Sequence, residues 1–318
     1  MSEFGFYSGV DFISKEFPKK DWLIEGFIRE RDAIILVGTP KVGKSVLTLQ
    51  IICSLTTQHP LFDKFNILRA CNVTYLQLEG DIADTQDRAK RMMKSVEFDA
   101  TKFSIGYLPP LKLNEIKEAK GLIIDIEMIH KPDVIIIDCA YFAFRGKMSD
   151  DDVVREFLGN LRIIKDHFNC TLILIHHTHK IRKDQKGNVI LEGDEAMFGS
   201  QFFAAWPDHI LFFVFDEKTG TRILQCNTQR SGTIEPATKL RMVQPDPLYF
   251  QDVTNIDVFD SKLFQEMESC KQMLDAQSWC NKTGIAKRTF YVTIKKLMLE
   301  GIITKDETKR PVKYGVSV

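Results

Sequence analysis

The chain has 318 residues, of which 44% are hydrophobic and 27% are charged, and its 43 Lys and Arg balance 43 Asp and Glu. This length predicts one large and one small domain, and no apolar run in the sequence is long enough to span a membrane. The N-terminal residues lack the basic and apolar pattern of an export signal, and the seven cysteines form no CxxC pair. We therefore expect a cytoplasmic protein with reduced, mostly buried thiols.

The charge is distributed unevenly along the chain. Residues 261–318 carry 11 Lys and Arg against 6 Asp and Glu, a local charge of +5. A basic segment of this kind suits a polyanionic partner.

Short runs rich in β-branched residues alternate with helical stretches between residues 33 and 230. The runs are 33–37, 73–78, 134–137, 171–175, 209–214 and 221–226. This alternation predicts parallel strands joined by crossover helices, and hence a three-layer α/β domain. Prolines after Arg241 and a polar stretch to residue 260 predict a boundary. We expect a main domain over 1–245 with an N-terminal extension over 1–20, a linker over 246–260 and a C-terminal domain over 261–318.

The most specific motif is a glycine-rich loop between the first run and an apolar-periodic helix. It reads GTPKVGKS over residues 38–45, which fits GxxxxGK[ST] in its required context of strand, loop and helix. Backbone N–H groups of such a loop surround phosphates, the lysine (Lys44) reaches the β- and γ-phosphates, and the hydroxyl (Ser45) ligates Mg²⁺. The sequence therefore predicts an ATPase that binds Mg-ATP. The expected nucleotide-binding residues are Gly38, Thr39, Pro40, Lys41, Val42, Gly43, Lys44, Ser45 and Val46.

A second magnesium ligand is expected at the end of a neighbouring buried strand. The run 134–137 is β-branched throughout and ends in Asp138. This aspartate is the candidate that contacts Mg²⁺ directly or through water. The alternative is an aspartate that only begins a turn. Cys139 follows it, so the Asp-Glu pair of many AAA+ proteins is absent.

Residues 20–235 resemble the RecA-like hexameric helicases of the RepA type. The resemblance rests on WLIEGFI at 22–28, the glycine-rich loop, YLQLEGD at 75–81, IIIDCAYFAF at 135–144 and ILIHHTHK at 173–180, which occur in the family's order. Gly199, Ser200 and Asp208 are similar to a further segment of that family. The resemblance implies a RecA-like P-loop ATPase core that assembles as a ring, with ATP at subunit interfaces and DNA in the centre.

The resemblance also implies the groups that act on the γ-phosphate. Glu79 is the candidate general base, because a glutamate at this strand end faces the γ-phosphate in the RecA arrangement. The alternative is that Glu79 and Asp81 are acids that favour the start of a helix at about residue 84. His177 is the first candidate for a γ-phosphate sensor and His176 the second. Three histidines in four residues also suit zinc, but no Cys or carboxylate lies nearby at ligand spacing.

Two further features of this resemblance concern DNA and subunit contacts. A basic segment follows His179 and either grips a phosphate backbone or forms a solvated charged hairpin. Its candidate DNA-binding residues are Lys180, Arg182, Lys183 and Lys186. Arg230 matches an arginine finger that reaches a neighbouring subunit's γ-phosphate, whereas Thr228 replaces the lysine that relatives carry.

The C-terminal domain resembles a winged helix-turn-helix. A glycine-bearing turn at 283–286 precedes an amphipathic helix over 289–300, and a hairpin follows over 301–314. The fold serves both DNA binding and protein contacts, so both remain open here. The candidate nucleic-acid face comprises Lys287, Arg288, Thr289, Tyr291, Lys295 and Lys296, with Lys309, Arg310 and Lys313 in the wing.

These features predict a DNA-dependent ATPase, a helicase or translocase in replication of a plasmid, phage or mobile element. We expect single-stranded DNA, other subunits in a hexameric ring and replication proteins as partners, and no membrane. One alternative is a recombination or repair ATPase that forms filaments on single strands. Another is an ATP-gated regulator whose winged helix binds an operator or a protein.

Overall fold

The computed structural model describes residues 6–17, 19–178, 200–217, 219–229, 237–254 and most of 263–316. In the last range, positions 264, 265, 268, 271, 286, 300–302 and 310 are not described. The strands are β1 (Trp22–Ile24), β2 (Ile28–Arg29), β3 (Ala33–Gly38), β4 (Val73–Gln77), β5 (Phe103–Tyr107), β6 (Val134–Asp138), β7 (Thr171–His177), β8 (His209–Asp216), β9 (Thr221–Gln229), β10 (Thr238–Val243), β11 (Tyr249–Asp252), β12 (Leu274–Asp275), β13 (Ile303–Asp306) and β14 (Lys313–Val316). The helices are α1 (Gly9–Ser14), α2 (Lys44–Thr57), α3 (Ile82–Met92), α4 (Ile116–Glu127), α5 (Ala140–Ala143), α6 (Asp151–Phe168), α7 (Phe202–Ala205), α8 (Ala276–Thr283) and α9 (Lys287–Leu299).

One large mixed sheet organises the main part of the chain. Within the described residues it has nine strands in the order β11-β10-β9-β8-β3-β7-β6-β4-β5. The six strands from β8 to β5 run parallel to one another, and β3 lies between β7 and β8. The carboxyl ends of β3, β4, β6 and β7 therefore meet at one edge, where ligands bind in open α/β sheets.

The sheet has a helix layer on each face because its strands alternate their side chains. Ile34 and Leu36 of β3 join a core with α2, whereas Ile35 and Val37 join another with α4 and α6. The α/β class predicted from the sequence is thus confirmed.

Two predictions about the sheet need correction. The run at 221–226 lies in β9, which pairs antiparallel with β8, because only a short turn connects them and a parallel crossover needs about a dozen residues. The expected linker at 246–260 contains β11, which pairs with β10 as the outer strand of the main sheet. The expected boundary at 245 therefore cuts through a β-hairpin.

The edge strand β11 is held by a side chain of α2. The buried Gln50 amide donates to the carbonyl of Phe250 at 2.9 Å and accepts from its N–H at 2.7 Å. These bonds satisfy backbone groups at an edge where another strand could otherwise pair.

The C-terminal residues form a separate hydrophobic cluster. A three-stranded antiparallel sheet in the order β12-β14-β13 packs with α8 and α9 around the buried Trp279, Phe290 and Leu297. Asp275 caps α8 and Gly284 ends it in a left-handed conformation, which produces the turn before α9.

The structure bears on the expectations about membrane-spanning segments and about the cysteines. Among the described residues, no helix is both long and apolar enough to cross a membrane. None of the seven cysteines, all of which are among the described residues, forms a disulfide, and six of them are buried.

Candidate active site

The glycine-rich loop connects the central strand β3 to α2 and requires glycine at two positions. Gly43, which precedes the first residue of α2, has φ 104°, and a side chain there would lie 2.8 Å from Cε of Met242. A Cβ on Gly38 would lie 2.4 Å from the carbonyl oxygen of Phe213. The loop is therefore packed from behind by β8 and by the β10–β11 hairpin.

Lys44 folds its ammonium back over this loop. Its Nζ donates to the carbonyl oxygens of Gly38 at 2.8 Å and Thr39 at 3.0 Å, and lies 3.3 Å from Nδ1 of His177. Burial lowers the pKa of Lys44, and the nearby acidic groups offset part of that effect. The cation therefore lies against the loop, where phosphate groups bind in proteins that carry a GxxxxGK[ST] loop.

Two oxygen ligands of the kind that Mg²⁺ prefers face each other beside the loop. The Ser45 hydroxyl lies 3.4 Å from Oδ2 of Asp138, and the buried Tyr75 hydroxyl donates to the same oxygen at 2.7 Å. Burial raises the pKa of Asp138, whereas the bond from Tyr75 lowers it. A buried carboxylate next to a hydroxyl fits a hard divalent cation. Tyr75 was not predicted, because its position within a buried strand gave no signal of a polar role.

The two acids after β4 have different surroundings. Asp81 is the N-cap of α3, and its carboxylate accepts from the N–H of Ala83 at 2.7 Å. Glu79 lies before the cap and its half-exposed side chain extends toward Cys139 and His177. The helix-start interpretation therefore describes Asp81, and Glu79 is left to face the site.

The two adjacent histidines lie on opposite sides of β7. His176 is buried, and its ring packs edge-on against Phe203 at 4.5 Å between centroids. His177 faces the site, with Nδ1 toward Lys44 and Nε2 3.9 Å from Oε2 of Glu79. Burial and the Lys44 charge lower the pKa of His177, so its ring is neutral at pH 7.

Cys139 is the other site residue that sequence reasoning missed. Its Sγ lies 3.4 Å from Oε2 of Glu79 and 3.6 Å from Nε2 of His177. Burial and the neighbouring carboxylates raise the pKa of this thiol to about 12. The only signal in the sequence was its position directly after Asp138.

The remaining predicted residues are described in part or not at all. Lys180, Arg182, Lys183, Lys186 and Arg230 lie outside the described residues, as do the side chains of Thr228, Arg288 and Lys296. On α9, the exposed residues Lys287, Tyr291 and Lys295 recur every four positions and so share one helix face.

The family of this chain is shown by a protein-family model. The AAA_25 family model, described as an AAA domain, matches residues 3–183, more than half of the chain. The chain belongs to this AAA-domain family. No curated protein matches it.

Three solved structures are similar to this chain, and one of them has a TM-score above 0.5. The ATPase domain of G40P is 11% identical with a TM-score of 0.51, over 67% of this chain and 82% of that one. A KaiC-like protein from Pyrococcus horikoshii is 15% identical with a TM-score of 0.49, over 72% and 93%. The RadB recombinase is 15% identical with a TM-score of 0.48, over 70% and 91%. The AAA family match, the glycine-rich loop at the end of the central β3 and the similarity to the G40P ATPase domain together support a RecA-like P-loop ATPase fold.

Proposed function

We propose that this protein hydrolyses Mg-ATP and uses the energy to move on DNA. ATP hydrolysis is supported by five side chains that lie together at one edge of the sheet. They are Lys44, Ser45, Glu79, Asp138 and His177. Each belongs to one of four neighbouring strands or to the loop or helix that follows it. They supply the cation, magnesium ligands and base that phosphoryl transfer to water requires.

Each residue would have a defined step in hydrolysis. Lys44 leaves the loop carbonyls and donates to the β- and γ-phosphate oxygens. Ser45 and Asp138 would hold Mg²⁺, which neutralises charge on the phosphates. Glu79 accepts a proton from the attacking water, whose oxygen bonds to the γ-phosphorus while the bond to the bridging oxygen breaks and ADP leaves. Neutral His177 lies next to Lys44 and Glu79, where it can sense the γ-phosphate.

Assembly into a ring is proposed from the resemblance of Arg230 to an arginine finger, although Arg230 lies outside the described residues. Such a finger would reach the γ-phosphate of a neighbouring subunit's ATP. The test is to mix Arg230→Ala subunits with wild type and to measure the ATP hydrolysis rate. The rate should fall more than in proportion to the fraction of variant subunits. A proportional decrease would contradict an arginine finger that acts on a neighbouring subunit.

The N-terminal segment offers a surface for such assembly. Helix α1 has no buried residue, and Phe6, Val10, Phe12 and Ile13 are exposed. Apolar side chains grouped in this way favour contact with another subunit. Deletion of residues 1–17 should reduce the mass measured in Mg-ATP if this surface joins subunits.

A DNA-binding role for the C-terminal residues is supported by α9. Two helices, a tight turn and an antiparallel hairpin follow in the order that a winged helix uses, and Lys287, Tyr291 and Lys295 form an exposed basic and aromatic face. We propose a winged-helix domain that loads or orients DNA, separate from the ATPase domain. The same face also suits an ATP-gated regulator that binds one duplex sequence.

The deciding experiment is steady-state ATP hydrolysis with and without single-stranded DNA, with duplex DNA and RNA as controls, alongside the mass in Mg-ATP. Strong stimulation by single strands in a ring-sized particle is expected. A monomer or dimer that is indifferent to single strands would contradict the motor and favour the regulator. Replacing both Lys287 and Lys295 by Glu should weaken DNA binding, whereas the same change at the exposed Lys117 and Lys120 of α4 should not.

A further inference from the structure

Three side chains of the metal-binding type converge at the edge of the sheet. They are Glu79 after β4, Cys139 after β6 and His177 at the end of β7. Among the described residues, this is the only group of three or more such side chains close enough to share an ion. No zinc spacing connects them in the sequence, because the order of the strands brings them together.

The distances between the three ligand atoms match a tetrahedral site. With bonds of about 2.3 Å to sulfur and about 2.0–2.1 Å to nitrogen and oxygen, tetrahedral zinc separates sulfur from N or O by about 3.5–3.6 Å and N from O by about 3.3–3.4 Å. The observed separations are 3.4 Å from Sγ to Oε2, 3.6 Å from Sγ to Nε2 and 3.9 Å from Nε2 to Oε2. Movement of less than about an ångström by the Glu79 side chain would complete the geometry.

The chemistry of the three ligands differs from that of the magnesium site beside them. Ser45 and Asp138 offer only oxygens, which suit Mg²⁺. A thiolate and an imidazole select Zn²⁺ or Co²⁺ over Mg²⁺. Glu79 and His177 are 52% and 33% exposed, so an ion can reach the buried sulfur from solvent.

We propose that Glu79, Cys139 and His177 bind Zn²⁺, with the fourth position open, and that the bound ion inhibits ATP hydrolysis. The inhibition part rests on the proposed function, because zinc would coordinate the Glu79 carboxylate, which is proposed to accept the proton of the attacking water. The binding part does not depend on the proposed function.

Zinc binding must release the thiol proton. The reaction is Cys139–SH plus Zn²⁺ giving Cys139–S–Zn⁺ plus H⁺. The thiolate is the form of cysteine that binds a metal, so the thiol proton leaves as the bond between sulfur and zinc forms.

Lys44 opposes this binding through the imidazole tautomer. A lysine ammonium only donates, so Nδ1 of His177 accepts from it and Nε2 carries the ring proton. Zinc binds through the lone pair of Nε2, so the ring proton must move to Nδ1. There it faces the Lys44 ammonium, which is unfavourable. We therefore expect Lys44→Met to bind zinc more tightly than wild type.

The test of binding is titration of the purified, reduced full chain with CoCl₂, followed by competition with ZnCl₂. Wild type should show a thiolate-to-cobalt charge-transfer band with a 1:1 endpoint, which zinc abolishes. Cys139→Ser should lose the band, and His177→Gln should weaken zinc binding by more than about 100-fold, since even outer partners of a metal site contribute about 10–100-fold. Cys270→Ser, at a more accessible cysteine, should keep the band.

The same proteins separate the metal site from the ATPase proposal. A band that is absent from wild type, or that persists in Cys139→Ser, overturns the metal site whatever the ATPase rate. A wild-type protein that binds cobalt through Cys139 but hydrolyses no ATP keeps the metal site and contradicts the proposed function. If both hold, micromolar ZnCl₂ should inhibit wild type reversibly, and Cys139→Ser should be insensitive relative to its own metal-free rate. If wild type with bound metal hydrolyses ATP at its metal-free rate, the proposed inhibition by zinc is wrong.

Discussion

The Tyr75 hydroxyl donates a 2.7 Å hydrogen bond to Oδ2 of Asp138, the same oxygen that faces Ser45. Both partners are buried, and the bond favours the ionised form of a carboxylate whose charge desolvation opposes. Tyr75 therefore positions the proposed magnesium ligand.

Tyr75→Phe tests this positioning. The Tyr75 bond lowers the pKa of Asp138, so its loss should raise that pKa further. The acidic limb of the pH–kcat profile should move upward, and half-maximal activity should need about tenfold more Mg²⁺. The measurement is the rate as a function of pH and Mg²⁺, with the exposed Tyr107→Phe as the control. Unchanged profiles would show that Tyr75 only fills the core.

Asp138→Asn should make the nucleotide-free protein more stable. The pKa of Asp138 is raised in the folded state, so the folded protein binds its proton more tightly than the unfolded chain. The ionised group therefore costs stability, and this cost grows as pH rises from about 4 through the folded-state pKa. We expect the melting temperature of Asp138→Asn to exceed that of wild type by a few degrees at pH 7 and by less at pH 4.5. A difference that shrinks as pH rises would contradict this sign.

Glu79→Gln separates catalysis from helix capping. The amide cannot accept a proton from water, so kcat should fall by about 10²–10⁴ while ATP affinity changes little. Asp81→Asn is the matched control two residues away, because asparagine also caps helices well and should leave kcat and stability nearly unchanged. If Asp81→Asn had the larger effect on kcat, Asp81 would be the base.

Gln50→Leu should weaken the attachment of the β10–β11 hairpin to the nucleotide-binding helix. It removes two hydrogen bonds and leaves the N–H and carbonyl of Phe250 unsatisfied at a buried position, at a cost of about 2–4 kcal/mol. ATP affinity should also decrease, because Phe250 and Met242 pack against Gly43. Urea unfolding and nucleotide titration measure both effects. The exposed Gln86→Leu on α3 should change neither.

The parts of the site whose residues are close together in the sequence could be predicted. The glycine-rich loop and Asp138 were found because strand, loop and helix are consecutive. The contact between Glu79, Cys139 and His177 could not, because it depends on the order in which β4, β6 and β7 lie in the sheet. Neither could the pairing of Gln50 with Phe250, which are 200 residues apart. Strand β5 was missed because, at the edge of the sheet, its side chains are only half-buried and its sequence lacks an apolar run.

The central place of β3 has a consequence for the order in which the chain is made. Its partner β8 begins about 175 residues later, where Asp208 bonds the N–H of Ala33. At about 5–20 residues per second, the ribosome takes roughly 10–35 s to reach that partner. During this time the strand that carries the glycine-rich loop has an unpaired side, and strands in that state invite aggregation. Nucleotide binding is therefore a late event of synthesis, and a fragment ending near residue 183 should be insoluble rather than a minimal ATPase.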